Sequence, residues 1–141
     1  MAGQIALIPV VVLGLILAFM EMVFVHKDEA GLGWLAHSLH SIPTMFILLF
    51  ISMNIDYVIG FTSWTPTFWM VIAIRVVVGL IAMAKIRATV AVSGRVGEKW
   101  PHTALIAVLI VLAPYMWEYI ACNFAFVKTL PFSGCPVSTT P

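Results

Sequence analysis

Residues 5–25 read IALIPVVVLGLILAFMEMVFV, a run whose one ionisable side chain is Glu21. A helix rises about 1.5 Å per residue and the hydrocarbon layer of a bilayer is about 30 Å thick, so about 20 mostly apolar residues suffice to cross it. This run has the length and the composition to do so. Residues 42–59, 66–84 and 103–127 qualify in the same way, and polar or turn-rich segments separate the four. Lipid offers no partner for backbone N–H and C=O groups, so each run must bond within itself as a helix. The chain reads as an all-α, polytopic membrane protein whose four transmembrane helices form a compact bundle.

Composition agrees. Of 141 residues, 62% are hydrophobic and 9% are charged, too little polar surface to cover a water-soluble globule. With a net charge of +1 and no long basic run, the chain lacks the electrostatic footprint that nucleic acid requires. No basic residue precedes the first apolar run and three similar runs follow it, so it is expected to stay as a helix and not to be cleaved as a signal peptide. Residues 1–130 form one transmembrane domain in this reading. The Ser/Thr/Pro-rich residues 131–141 form an extracytoplasmic tail.

Within the bundle, Pro66 and Pro101 stand where the third and fourth helices are expected to begin, a position at which a missing N–H costs least. Lys and Arg are retained on the cytoplasmic side. Lys27 lies in the loop of residues 26–41, and Lys85, Arg87, Arg95 and Lys99 in that of residues 85–102, against Lys128 alone on the other side. The expectation is that both loops are cytoplasmic and both termini extracytoplasmic. Cys122 and Cys135 then share the compartment in which a disulfide persists, so they either form a bridge or remain a lipid-facing and a free thiol.

An ungapped offset of 65 residues lays Val11, Val12, Gly14, Leu15 and Ile16 on Val76, Val77, Gly79, Leu80 and Ile81, and His37 on His102. It predicts two helical hairpins repeated in parallel about an axis along the membrane normal, although membrane helices share a small alphabet in which such matches arise easily. Gly14 and Gly79 remove side chains where another helix can approach closely.

Charges inside a span are expensive and call for a partner or a water-filled neighbour. Arg75 and Glu118 are each nine residues from the outer end of their runs, about 14 Å deep, so they are expected to pair. Asp56, nearer the end of the second run, reaches interfacial water or joins the same network with Asn54. Glu21 is placed near the cytoplasmic face. Such a network serves either to fix helix register or to line a polar path.

All four histidines fall on the cytoplasmic side: His26, His37, His40 and His102. A short interfacial helix over residues 34–40, anchored by Trp34, would set His37 and His40 on one face. With Glu29 or Asp28 these imidazoles have the donor chemistry for a transition metal such as zinc, iron or copper, and His-x-x-His on a helix supplies two ligands. The same residues also serve as interfacial hydrogen-bonding groups. Haem is disfavoured because the histidines surround the spans and do not lie within them. No Ser or Cys nucleophile stands beside a base and no phosphate-binding Gly-rich loop is present. The preferred expectation is a non-catalytic subunit or oligomeric scaffold, a homo-oligomer or part of a larger membrane complex, with a His-rich cytoplasmic surface. A transporter or channel component using Arg75, Glu118 and Asp56 comes second, and a metal-dependent membrane enzyme third.

Overall fold

The computed structural model describes residues 5–28, 33–62, 64–93, 99–124 and 127. They form α1 (Leu7–Asp28), α2 (Gly33–Met53), the short α3 (Ile55–Ile59), α4 (Phe68–Ser93) and α5 (Trp100–Asn123). Four of these helices are long and apolar enough to cross a membrane, which makes the chain an integral membrane protein. α2 and α5 pack against each other at the centre, each also contacts both α1 and α4, and α1 and α4 flank the pair. The core runs through Val10, Leu13 and Leu17 of α1, Met45 and Leu49 of α2, Val78 and Ala82 of α4, and Ile106 and Ile110 of α5.

Several boundaries differ from the sequence reading, most of them for a local reason. The second span begins at Gly33 and absorbs residues 34–40, which are its first turns and not a separate interfacial helix. Ser38, His40 and Ser41 turn back on their own helix. Ser38 Oγ donates to the Trp34 carbonyl at 2.9 Å, Ser41 Oγ to the Ser38 carbonyl at 3.3 Å, and His40 Nδ1 lies 3.3 Å from the Ala36 carbonyl. Hydroxyls satisfied in this way do not interrupt a helix in lipid.

The same span ends at Met53, because Asn54 leaves helical geometry (φ −119°, ψ 39°). Its side-chain amide donates to the Phe50 carbonyl at 2.9 Å and its carbonyl oxygen accepts from the Ala6 amide at 2.6 Å. One residue thus closes the end of α2 and supplies an acceptor to a free amide just before α1.

The third helix starts after Thr67 and not at Pro66. Thr67 Oγ1 accepts from the Met70 amide at 3.4 Å and its carbonyl from the Val71 amide at 3.0 Å, the behaviour of an N-cap. At its other end α4 continues past Lys85 to Ser93, about 39 Å in all, so its last turns outrun the hydrocarbon layer. The fourth helix starts at Trp100 with Pro101 in its first turn, as expected.

Gly14 and Gly79 mark the two closest approaches. A Cβ at Gly14 would stand 2.3 Å from the Phe46 ring, and one at Gly79 would stand 2.5 Å from Val111 Cγ2 and 3.4 Å from the Ala107 carbonyl. Gly14 therefore seats α2 on α1, and Gly79 seats α5 on α4. Exposed Trp64, Trp69 and Tyr119 gather at one end of the bundle and Trp100 at the other, the placement of interfacial aromatic belts.

Candidate functional site

Polar chemistry collects at two levels. At the end where α1 stops and α5 starts, Asp28 is the hub, its side chain 1% exposed. Asp28 Oδ2 accepts from the Lys99 backbone amide at 3.0 Å and stands 2.6 Å from His102 Nδ1, while Lys99 Nζ lies 3.3 Å from Oδ1. Lys99 is the N-cap of α5. The carboxylate thus takes up a free amide of that helix at its positive end, where an anion is favoured. The His102 ring stacks on Phe24 of α1 with centroids 4.4 Å apart and planes 11° from parallel. His102 is held by Asp28 on one edge and Phe24 on one face.

Of the other sequence-derived metal candidates, the two that are described, His26 and His40, do not form a metal-holding group with it. His26 is exposed and meets Trp34 edge-on at 5.0 Å. His40 is exposed on the outer surface of α2, turned toward its own helix. Glu29 and the side chain of His37 lie outside the described residues. Among the described residues no group of three or more His, Cys, Asp or Glu side chains is placed to hold a metal ion.

Glu21 is fully buried among the helices, seven residues before the end of α1. Its position was readable from spacing: Val10, Gly14, Leu17 and Glu21 recur at helical intervals and all are buried. Ser38, Ser41 and Thr103 are buried toward the same end.

The second level lies toward the opposite end and gives a further correction. Arg75 does not pair with Glu118. Its Nη1 donates to the Tyr115 hydroxyl at 2.9 Å, its Nε to the Ser52 carbonyl at 3.4 Å, and its guanidinium carbon stands 5.0 Å from the Tyr115 ring centroid. α4 begins at Phe68 and α5 stops at Asn123, so Arg75 is about 10 Å from its helix end, Tyr115 about 12 Å and Glu118 about 7 Å, all within side-chain reach in depth. What separates the two is the line of α5 each occupies: Tyr115 meets the Arg75 head, and Glu118 is exposed on a neighbouring line. Glu118 and Asp56 are both exposed, and neither lies within 4.0 Å of the Arg75 guanidinium as an ion pair.

Ser52 is the residue that sequence reasoning passed over. Its buried hydroxyl donates at 2.7 Å to the carbonyl of Ile110. That carbonyl is the one from which Pro114, four residues on and without an N–H, withholds the usual helical bond. The Ser52 carbonyl in turn belongs to the last turn of α2, where intrahelical donors run out, and Arg75 supplies one. The signal was present as Pro114 inside an apolar run, which demands a donor from a neighbouring helix. Cys122 is on the last turn of α5, and Cys135 lies outside the described residues.

Comparison with family models, with curated proteins and with solved structures gives no match to this chain.

Proposed function

We propose that the chain is a non-catalytic building block of the membrane, a four-helix scaffold that works as one copy of an oligomer or as a subunit of a larger complex. The observation that carries this reading is the use made of the polar groups inside the bundle. Ser52, Asn54 and Arg75 each hydrogen-bond a backbone group or a neighbouring helix, so they hold helices together and do not line a continuous path. A packed apolar core occupies the level between them and the Asp28 cluster. Reconstitution into liposomes loaded with a pH- or cation-sensitive dye tests the reading. Leakage no faster than from empty liposomes is expected, whereas sustained flux abolished by Arg75→Gln would replace the scaffold with a conducting path.

The topology belongs to the same proposal. Asp28 joins the end of α1 to the start of α5, and Asn54 joins the end of α2 to the start of α1, so the first and third connections share one side. The five-to-one excess of basic residues supports that side as cytoplasmic, with both termini outside. A Cys122–Cys135 bridge fits an outer compartment. After reduction, an impermeant thiol reagent is expected to label Cys135 on intact cells, and labelling confined to opened cells would reverse the orientation.

The parallel repeat is supported by positions beyond the five matched letters. The offset of 65 that lays Gly14 on Gly79 also lays Phe46 on Val111, the side chains that fill the two glycine notches. Buried Leu13, Leu17 and Glu21 fall on buried Val78, Ala82 and Ile86. Equivalent hairpins predict comparable losses for Gly14→Val and Gly79→Val, about 1–3 kcal/mol each. Thermal unfolding in detergent would disprove equivalence by finding one change costly and the other neutral.

A further inference from the structure

Arg75 and Glu118, opposite in charge and both in the Asn54 half of the bundle, have no ion-pair partner among the described residues of one copy. Arg75 is bonded only to neutral groups, the Ser52 carbonyl and the Tyr115 hydroxyl and ring. Glu118 is exposed on α5 and has no ion-pair partner among the described residues. A charged group within a span ordinarily meets a counter-charge or water. Tyr115 is 48% exposed, so the Arg75 head that bonds it stands at the outer surface of the α4–α5 hairpin. Glu118 lies three residues beyond Tyr115 on α5, about 4.5 Å further along the helix axis and on a neighbouring line of the same face.

We infer that a second copy of the chain packs against this face, with Glu118 of each copy meeting Arg75 of the other. A twofold axis along the membrane normal brings equal depths together and makes every contact reciprocal. One cation and one anion separated by less than a helical turn are then each supplied with a counter-ion by the same operation. A foreign subunit would have to carry both charges in the mirror arrangement to do as much. The flanking Val108, Leu112 and Tyr119 are also exposed, which lipid alone would explain, so the charges and not the apolar stripe select the occupant. The inference rests on the scaffold reading and adds to it the surface through which copies join. The two separate experimentally, since the flux measurement tests the scaffold and association tests the interface.

The experiment co-expresses two full-length copies carrying different tags, purifies on one tag in mild detergent, and measures the other. Wild-type copies are expected to co-purify. Arg75→Glu in both copies, or Glu118→Arg in both, sets like charges opposite each other and is expected to reduce co-purification at least about tenfold. One copy with Arg75→Glu and the other with Glu118→Arg restores both pairs across the axis and is expected to recover it. Same-charge pairs that co-purify like wild type overturn the inference. So does a mixed pair no better than the same-charge pairs. Should Arg75→Glu fail to fold through loss of its own-chain bonds, Glu118→Gln in both copies decides. That exposed side chain is expected to leave the unfolding temperature of the single copy unchanged and to weaken co-purification, and undiminished co-purification refutes the interface.

Discussion

The two ends of the bundle are tied by different chemistry. Where α1 meets α5, a carboxylate gathers a backbone amide, an imidazole and an ammonium group, and Lys99 remains 66% exposed. Where α2 meets α4 and α5, the ties at Ser52 and Asn54 run from neutral side chains to backbone groups left over by Pro114 and by the ends of helices. The difference follows from solvent. The Lys99 ammonium stays in water, where its attraction to Asp28 is weak, and the buried Asp28 carboxylate is held chiefly by the Lys99 amide and His102. Inside the bundle an unbonded carbonyl has nowhere to turn, so a single hydroxyl carries a large share.

The strongest test of this contrast is Ser52→Ala, which strands the Ile110 carbonyl. A loss of about 1–3 kcal/mol is expected, read as a lower unfolding temperature in detergent. Adding Pro114→Ala returns an N–H to that carbonyl, and the double variant is expected to recover most of the loss. Equal losses with and without Pro114→Ala would mean that the hydroxyl acts through packing alone.

At the other end, Asp28→Asn keeps the shape and an acceptor for the Lys99 amide while removing the charge. The expected loss is about 1 kcal/mol, because the amide keeps the buried site hydrogen-bonded without a charge. Salt screens exposed charges over about 8–10 Å near physiological ionic strength, so the part of this loss that comes from the exposed Lys99 ammonium should shrink as salt is raised, while the Ser52→Ala loss should not. A salt-independent Asp28→Asn effect larger than that of Ser52→Ala would invert the comparison.

How much of this was legible in the residues differs between the two ends as well. The number of long helices and the proline in the first turn of α5 follow from local composition. The start of α2 was misplaced because Ser38, His40 and Ser41 look like loop residues when counted by polarity, although their polar atoms return to their own helix. The burial of Glu21 follows from its helical spacing with Val10, Gly14 and Leu17. The Asp28–His102 contact spans 74 positions, and no local pattern announces it.

The sequence by itself determined that four long helices form and where most of their ends lie. In lipid each segment must satisfy its own backbone, which makes span formation a property of roughly 20 consecutive residues. Only the tertiary structure decided which polar side chains meet. Arg75 meets Tyr115 and not Glu118, 40 and 43 positions away, because the rotation of α5 against α4 turns Tyr115 and not Glu118 to the guanidinium. Ser52 found Ile110 at a separation of 58 because a proline on one helix left a vacancy that a neighbouring helix filled. Such pairings depend on the relative height and rotation of packed helices, quantities that no single segment encodes.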